Sequence, residues 1–185
     1  MDCEDVLDIY HKLLETYGKQ DWWPVLNHDA SDDEKRFEII IGAILTQNTS
    51  WKNVEKAMNN LYENKMLNPE NILNANEETL KEMIKPAGYY NQKTHYIKNI
   101  ARWFLNNNDV PTREELLEIK GIGEETADSI LLYAYNVPVF VVDAYTKRMF
   151  NQLLENKGRN FKGHNYGEWQ DFFHTIGVEN RENPR

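Results

Sequence analysis

A chain of 185 residues with 41% hydrophobic and 28% charged residues has the composition of a globular protein with one core or two small helical lobes. No apolar run approaches the ~20 residues of a membrane span, and the acidic N-terminus lacks the basic and then apolar pattern of a secretory signal, so we expect a cytoplasmic protein. The formal net charge of −9 predicts weak, salt-sensitive non-specific binding to polyanions.

Hydrophobic residues recur at intervals of three and four along most of the chain, which is typical of amphipathic helices. In the first part of the chain these stripes predict five helices: Val6 to Tyr17, Phe37 to Leu45, Trp51 to Leu61, Leu80 to Ile84, and Ile97 to Leu105. Gly18 is expected to end the first helix, and Pro86 with Gly88 the fourth.

The helical pattern continues in the second part of the chain. Thr112 and Glu115 form a capping-box pair at a helix start, and apolar residues from Ala127 to Ala134 mark the next helix. A long helix is expected after Asp143. Residues 169–176 predict one more helix, followed by the polar tail GVENRENPR.

No segment predicts a β-sheet. The stretch Val137 to Val142 is apolar and β-branched, but it is too isolated to pair with other strands. Internal repeats and low-complexity segments are absent from the sequence. The predicted fold class is therefore all-α.

The sequence offers no cluster of transition-metal ligands. Cys3 is the only cysteine, which excludes an internal disulfide and an iron–sulfur cluster held by the cysteines of one chain. The five histidines are scattered without ligand-like spacing: His11, His28, His95, His164 and His174. We therefore predict no metal site built from side chains.

The segment LLEIKGIGEETADSILLYA predicts two short helices joined by Gly121, Ile122 and Gly123. Glycines permit a tight turn with positive φ and a close approach of another molecule, while Ile122 can plug into the core. The turn leads into a helix start, where unpaired N–H groups favour an anion such as a backbone phosphate. The alternative is a plain hairpin of two helices, because a GxG pattern alone is a weak signal.

Asp143 follows the apolar stretch VPVFVV and opens the next helix. Aspartate is a favoured N-cap residue, so a structural role alone would account for it. The helix dipole also stabilises an ionised carboxylate at this position. Such a group can support a cation-like transition state and can orient or deprotonate an attacking water.

Four segments together resemble the endonuclease III superfamily of DNA glycosylases. GIGEETA followed by VVDAYTKR resembles the helix–hairpin–helix and Gly-Pro-Asp signature of that superfamily. GAILTQNTSWKNVEKA is similar to its base-replacing helix and loop, and AGYYNQKTHYIKNIA to its glycine-containing loop and the helix after it. The segments lie in the family's order between Gly42 and Arg148, so the resemblance covers most of the chain.

The resemblance implies a role for several residues. Asp143 would be the catalytic carboxylate, and Gln47 would fill the gap that a flipped base leaves in the duplex. The main chain of Gly121, Ile122 and Gly123 would hold a DNA phosphate, with a monovalent cation bound at the hairpin as in the superfamily. The implied partner is double-stranded DNA that contains a damaged base.

Two departures from the family pattern narrow the implied activity. Members that also nick the strand carry a lysine at the second position after the second hairpin glycine, where this chain has Glu125. A carboxylate cannot form a Schiff base with the sugar, and Lys120 on the other side of the glycines is a poor substitute. The cysteines of the endonuclease III iron–sulfur loop are also absent after Asp143.

Both absences favour the monofunctional alkyladenine branch, also called 3-methyladenine DNA glycosylase III. Members of that branch carry tryptophans before a proline near the N-terminus and an aromatic residue after LTQNT, as in Trp22-Trp23-Pro24 and Trp51 here. Trp51, Trp23 and Pro24 are therefore the predicted base pocket, with Trp22 expected in packing.

The chemistry of alkylated purines agrees with this assignment. A 3-alkylated adenine is cationic and already has a weak glycosidic bond, so no strong general acid is required for its departure. Aromatic faces attract such a ring by about 0.5–2 kcal/mol for each favourable face. A sandwich of Trp51 and Trp23 would therefore favour a damaged base over a normal one, which pays the full cost of flipping.

The resemblance also implies two lobes with a cleft between them. We expect a helical barrel domain with the hairpin at residues 29–138, and a second lobe from residues 1–28 with residues 139–185. The C-terminal part of the second lobe is short for the superfamily. A monomer is the default expectation.

Two other functions remain open from the sequence. One is a bifunctional endonuclease III-like glycosylase and abasic-site lyase acting on oxidised pyrimidines. The other is a non-catalytic DNA-binding hairpin protein, which the acidic charge and the short C-terminus favour. Uracil and mismatched thymine also remain open as substrates.

Overall fold

The computed structural model of the chain describes residues 3–19, 23–156, 163 and 165–181. These residues are mostly helical and contain no β-strand, which confirms the predicted all-α class. None of the described helices is long and apolar enough to cross a membrane. The chain forms two compact units, one of residues 23–139 and the other of residues 1–22 with 140–185.

The described helices follow the predicted order and add segments that the apolar pattern alone did not mark. In chain order they are α1 (Cys3–Tyr17), α2 (Asp32–Leu45), α3 (Trp51–Glu63), α4 (Pro69–Asn74), α5 (Glu77–Ile84), α6 (Tyr90–Asn106), α7 (Arg113–Leu117), α8 (Glu124–Ser129), α9 (Ala144–Asn156) and α10 (Tyr166–Arg181). A 3-10 turn, Lys85–Ala87, follows α5, and a π-helical turn, Ile130–Ala134, follows α8.

Helix α2 lies at the centre of the larger unit. Every residue from Phe37 to Leu45 is buried, so the helix is surrounded by other elements on all sides. Helices α3, α6 and α8 and the π-helical turn pack against it. Complete burial of one isoleucine contributes about 1.5–3 kcal/mol, and α2 provides Ile40, Ile41 and Ile44 at 0% exposure.

Capping residues extend the helices beyond the predicted apolar stripes. Ser31 and Glu34 form a capping box that starts α2 five residues before Phe37. The predicted capping box of Thr112 and Glu115 is confirmed, with Thr112 N–H donating to Glu115 Oε2 at 2.8 Å. Asn68 caps α4, which the sequence analysis missed.

The segment from Trp23 to His28 belongs to the larger unit, whereas the sequence analysis had assigned it to the second lobe. Leu26 N–H donates to Oε1 of Glu38 on α2, and Trp23 packs against the core of this unit. Burial raises the pKa of Glu38, and hydrogen bonds from the backbone of Leu26 and Asn27 oppose this shift. The buried carboxylate therefore fastens the segment to α2.

The smaller unit has a separate core built by α1, α9 and α10. The buried members of this core are Val142, Phe150, Leu154, Tyr166, Trp169 and Phe173. Val6 and Ile9 of α1 pack against it. Helix α10 continues to Arg181, so the first five residues of the predicted polar tail are helical.

Helix α6 carries a lysine in the core of the larger unit. Lys93 is only 2% exposed, and its Nζ donates to the carbonyl oxygens of Leu45 and Ala87, each at 2.9 Å. Burial lowers the pKa of Lys93 to about 8. The two carbonyls partly replace the water that the ammonium loses on folding.

The shifted pKa of Lys93 predicts a pH dependence of stability. An unfolded lysine keeps its ordinary pKa of 10.5, so above about pH 8 the unfolded state binds more protons than the folded state. The free energy of unfolding should therefore rise by about 1 kcal/mol per pH unit between about pH 8 and pH 10, relative to the Lys93→Met variant. Urea unfolding of both proteins across this range measures the difference, and a flat difference would contradict the assignment.

Candidate active site

The predicted hairpin is formed by α7, a turn and α8. Gly121 has a φ of 105°, and a Cβ atom there would lie 2.2 Å from the ring of Tyr96 on α6. Two independent constraints, the backbone conformation and the close approach to Tyr96, therefore require glycine. Ile122 is 6% exposed and belongs to the core of the larger unit, as predicted.

Gly123 differs from the expectation of a positive φ. Its φ is −99° and its ψ is 178°, an extended conformation that other residues adopt. A Cβ atom at Gly123 would meet nothing within 4 Å, and the residue is exposed. Gly123 is the N-cap of α8 and provides no side chain to cover the helix start. Gly123 therefore leaves the backbone at the start of α8 open to the approach of another molecule.

A salt bridge holds the two hairpin helices together. Arg113 on α7 donates from Nε to Oδ1 of Asp128 on α8 at 2.8 Å, and a second nitrogen donates to Oδ2 at 3.3 Å. Asp128 is 0% exposed, so its carboxylate depends on this bidentate partner. Asn99 of α6 also donates from Nδ2 to the carbonyl of Lys120 in the turn at 3.2 Å.

The predicted gap-filling residue, Gln47, lies against the hairpin. Its Nε2 donates to the carbonyl of Gly121 at 2.9 Å and to Oγ1 of Thr126 at 3.1 Å. Gln47 follows the end of α2, and the next residue, Asn48, is left-handed with a φ of 53°. The structure thus brings Gln47 and the GIG turn together, through two hydrogen bonds that the sequence did not reveal.

A polar cavity of about 180 Å³ lies where the Gln47 loop meets α8. Its lining residues are Ala43, Thr46, Gln47, Asn48, Glu125, Thr126 and Ser129. Glu125, at the position where strand-nicking relatives would carry lysine, therefore faces the same cavity as Gln47. None of these lining residues carries an amine.

The predicted pocket residues Trp23 and Trp51 are in contact, but their geometry corrects one expectation. The ring centroids are 5.3 Å apart and the planes meet at 84°. Perpendicular rings at this distance cannot hold a base between them, so the expected sandwich does not form in this structure. Tyr133 is a third member of the cluster, 5.2 Å from Trp23, and the sequence analysis missed it.

Neighbouring residues fix the two tryptophans. A Cβ atom on Gly42 would lie 3.1 Å from Nε1 of Trp23. Glycine at this position of α2 therefore leaves room for the indole ring. Trp51 begins α3, and its Nε1 donates to Oε1 of Glu55 at 3.0 Å. Pro24, the other predicted pocket residue, is exposed, and Trp22 lies outside the described residues.

Asp143 lies in the smaller unit, where it caps α9. Its Oδ1 accepts a hydrogen bond from the backbone N–H of Thr146 at 2.7 Å. The side chain is half-buried, and among the described residues no hydrogen bond or salt bridge is formed by Oδ2. The predicted N-cap role of Asp143 is therefore present.

Among the described residues no group of three or more His, Cys, Asp and Glu side chains could hold a metal ion. A monovalent cation at the hairpin would have to use main-chain carbonyls. Those of Ile119, Lys120 and Gly121 each accept one hydrogen bond, from Ile122, Asn99 and Gln47 respectively, and each keeps a second lone pair. Carbonyl oxygens are the kind of ligand that suits a hard monovalent ion, which would neutralise charge beside a bound phosphate.

Residues 41–165 match the family described as HhH-GPD superfamily base excision DNA repair protein. The chain belongs to this superfamily. It is a member of the DNA glycosylases within it, and the endonuclease III resemblance is thereby confirmed. The matched range includes the Gln47 loop, the hairpin and Asp143.

Similar proteins come from several branches of the superfamily. A Methanocaldococcus jannaschii protein, named a candidate DNA repair glycosylase, is 50% identical over 162 residues, which are 81% of this chain and 70% of that protein. Endonuclease III of Thermotoga maritima is 34% identical over 130 residues, which are 69% of this chain and 59% of that protein. The chain thus spans less than two thirds of that enzyme.

The solved structure of Helicobacter pylori 3-methyladenine DNA glycosylase bound to 1,N6-ethenoadenine has a TM-score of 0.80 with this chain. The sequences are 31% identical, and the alignment covers 98% of this chain and 85% of that one. A thermostable thymine-DNA glycosylase has a TM-score of 0.65 at 21% identity, which shows a shared fold.

The hairpin salt bridge gives a testable prediction. Replacing Arg113 with methionine removes the bidentate partner of the buried Asp128 carboxylate and should reduce the free energy of unfolding by about 3–5 kcal/mol. Arg113→Lys keeps the charge but loses the bidentate geometry, so its free energy of unfolding should lie between those of the wild type and Arg113→Met.

Arg36→Met is the matched control, because Arg36 bonds to an Asp33 that is 76% exposed. This substitution should change the free energy of unfolding by no more than about 1 kcal/mol. Equal losses for Arg36→Met and Arg113→Met in urea unfolding would contradict the role given to the buried pair.

Proposed function

We propose that this chain is a monofunctional DNA N-glycosylase that hydrolyses the bond between deoxyribose and a flipped, alkylated purine such as 3-methyladenine. The observation that carries the proposal concerns the loop of residues 46–50. This loop leads into Trp51 of an aromatic cluster, and it also borders a cavity in which Glu125 stands where strand-nicking relatives carry an amine. Trp23, Trp51 and Tyr133 supply aromatic faces, and Glu125 lines the cavity beside Gln47. The likeness to the Helicobacter pylori 3-methyladenine DNA glycosylase supports the same substrate class.

Aromatic side chains favour a cationic base. A methylated adenine ring carries a positive charge, and the face of one indole attracts it by about 0.5–2 kcal/mol. Since Trp23 and Trp51 are perpendicular, the base stacks on one of them, and the other supports that ring from the side. A neutral base lacks this attraction and still requires a few kcal/mol for unstacking.

The remaining roles follow from the chemistry of each group. The main chain of Gly121, Ile122 and Gly123 holds a phosphate, and Gln47 fills the gap in the duplex. Asp143 stabilises the positive charge that develops on the sugar and orients the attacking water. The cationic base leaves as a neutral molecule, so no residue needs to donate a proton to it.

Replacement of Asp143 by asparagine tests the catalytic role. Asparagine accepts the hydrogen bond from Thr146 and caps helices as well as aspartate does, so stability should change little. Release of 3-methyladenine from methylated duplex DNA should fall about 10²–10⁴-fold, with DNA binding largely retained.

Asp171→Asn, on the exposed face of α10, is the control and should release base at the wild-type rate. The readout is free base from methylated DNA under single-turnover conditions. Excision by Asp143→Asn at a rate near that of Asp171→Asn would refute the proposal.

The absence of an amine at position 125 predicts the outcome of borohydride trapping. The wild-type protein should form no covalent adduct with lesion-containing DNA, because a carboxylate cannot form an imine. Glu125→Lys should gain a trappable adduct, whereas Glu124→Lys, one residue earlier, should not. A trapped adduct with the wild-type protein would instead support a bifunctional glycosylase and lyase.

A further inference from the structure

The buried Lys93 bonds to the ends of two chain segments whose last residues, Leu45 and Ala87, also belong to the core of the larger unit. Leu45 is the last residue of α2, and Ala87 is the last residue of the 3-10 turn. The carbonyls at helix ends lack partners within the helix, and one ammonium satisfies both here. The two carbonyl oxygens are therefore held close together, because each lies 2.9 Å from the same Nζ atom.

Each of these helix ends leads directly into a loop. The first, residues 46–50, contains Gln47 and the left-handed Asn48. The second, residues 88–89, contains Gly88 with a φ of 69° and Tyr89 with a φ of 47°. Tyr89 is 64% exposed. Lys93 thus holds the starting points of these two loops next to each other.

Stability alone does not explain this lysine. Lys93 is 2% exposed, and its ammonium has no carboxylate in salt-bridge contact among the described residues, so burial removes hydration that no opposite charge replaces. Apolar residues of similar volume at buried charged positions are often neutral or stabilising. A buried charge with such a cost is expected where geometry matters more than stability.

The same helix provides a lysine with similar bonds but a different location. Lys98 donates from Nζ to the carbonyls of Ala75 at 2.9 Å and Leu73 at 3.5 Å, at the end of α4. Its contacts reach neither residues 46–50 nor residues 88–89. Lys98 therefore serves as a matched control for lysine bonding to helix ends.

Gln47 must move if it enters the duplex, because its amide is bound to Gly121 and Thr126 in this structure. A side chain that exchanges these bonds for a position in the base stack needs a fixed backbone behind it. We propose that Lys93 is a positioning residue for base extrusion, which holds the 46–50 loop against the 88–89 loop while Gln47 leaves the hairpin and inserts. This inference rests on the proposed function.

The test compares Lys93→Met with Lys98→Met and the wild-type protein. The probe is a duplex with a tetrahydrofuran abasic-site analogue opposite 2-aminopurine, whose fluorescence reports unstacking without any bond cleavage. Lys93→Met should reduce the rate of the fluorescence change about tenfold or more, because small displacements of an inserting group have large effects. Lys98→Met should match the wild type, and both variants should bind the duplex within about threefold of it, because no phosphate contact is removed.

Several outcomes would overturn the inference. If the two variants give equal fluorescence rates, Lys93 has no special role in insertion. The inference also fails if the wild-type protein produces no fluorescence change. If a variant is unstable, it is assayed in sucrose, which stabilises the folded state because it is excluded from the protein surface. If Lys93→Met does not fold, Lys93→Gln is judged by the same criterion. Failure of both to fold assigns Lys93 to the core alone.

The result is separable from the proposed function. Base release from methylated DNA is measured on the same wild-type preparation. If the wild type inserts but releases no base, the proposed function fails and the role of Lys93 in insertion stands. If it releases base and Lys93→Met inserts normally, only the Lys93 inference fails.

Discussion

The contact between the Gly121 backbone and the ring of Tyr96 is the constraint on which the larger unit depends. It leaves no room for a side chain at position 121, and it seats the hairpin turn on α6. From the same helix, Asn99 holds the turn through Lys120, and Lys93 holds the end of α2. Helix α6 is thereby the common support of the segments proposed to meet DNA.

The proposed activity requires little from the chain beyond this positioning. An alkylated purine is already a good leaving group, so the enzyme needs attraction for a cationic ring and one carboxylate for the sugar. The aromatic cluster and Asp143 have these properties. In the proposed mechanism, Glu125 stands where strand-nicking relatives carry an amine, so we expect hydrolysis without elimination. An overall acidic charge is compatible with this mechanism if recognition depends on the backbone of the hairpin and on the damaged base.

Local signals in the sequence predicted much of the fold. The capping box at Thr112, the stop at Gly18 and the apolar stripe of α2 each depend on near neighbours in the chain, and the structure shows all three. Contacts between distant residues were not predictable in this way. The bond from Gln47 to Gly121 spans 74 residues, and the perpendicular packing of Trp23 on Trp51 depends on the absence of a side chain at Gly42. The family resemblance named the site residues, but it gave no geometry for them.

The most direct test of the central claim is the identification of free bases released by the wild-type protein from alkylated, oxidised and deaminated duplexes. Mass spectrometry of the small-molecule fraction, with a denaturing gel of the same samples, reports the released base and the state of the strand together. The account predicts release of 3-methyladenine from the alkylated duplex, with the strand intact until alkali is added. Release of an oxidised pyrimidine with strand cleavage, or no release from any duplex, would contradict it.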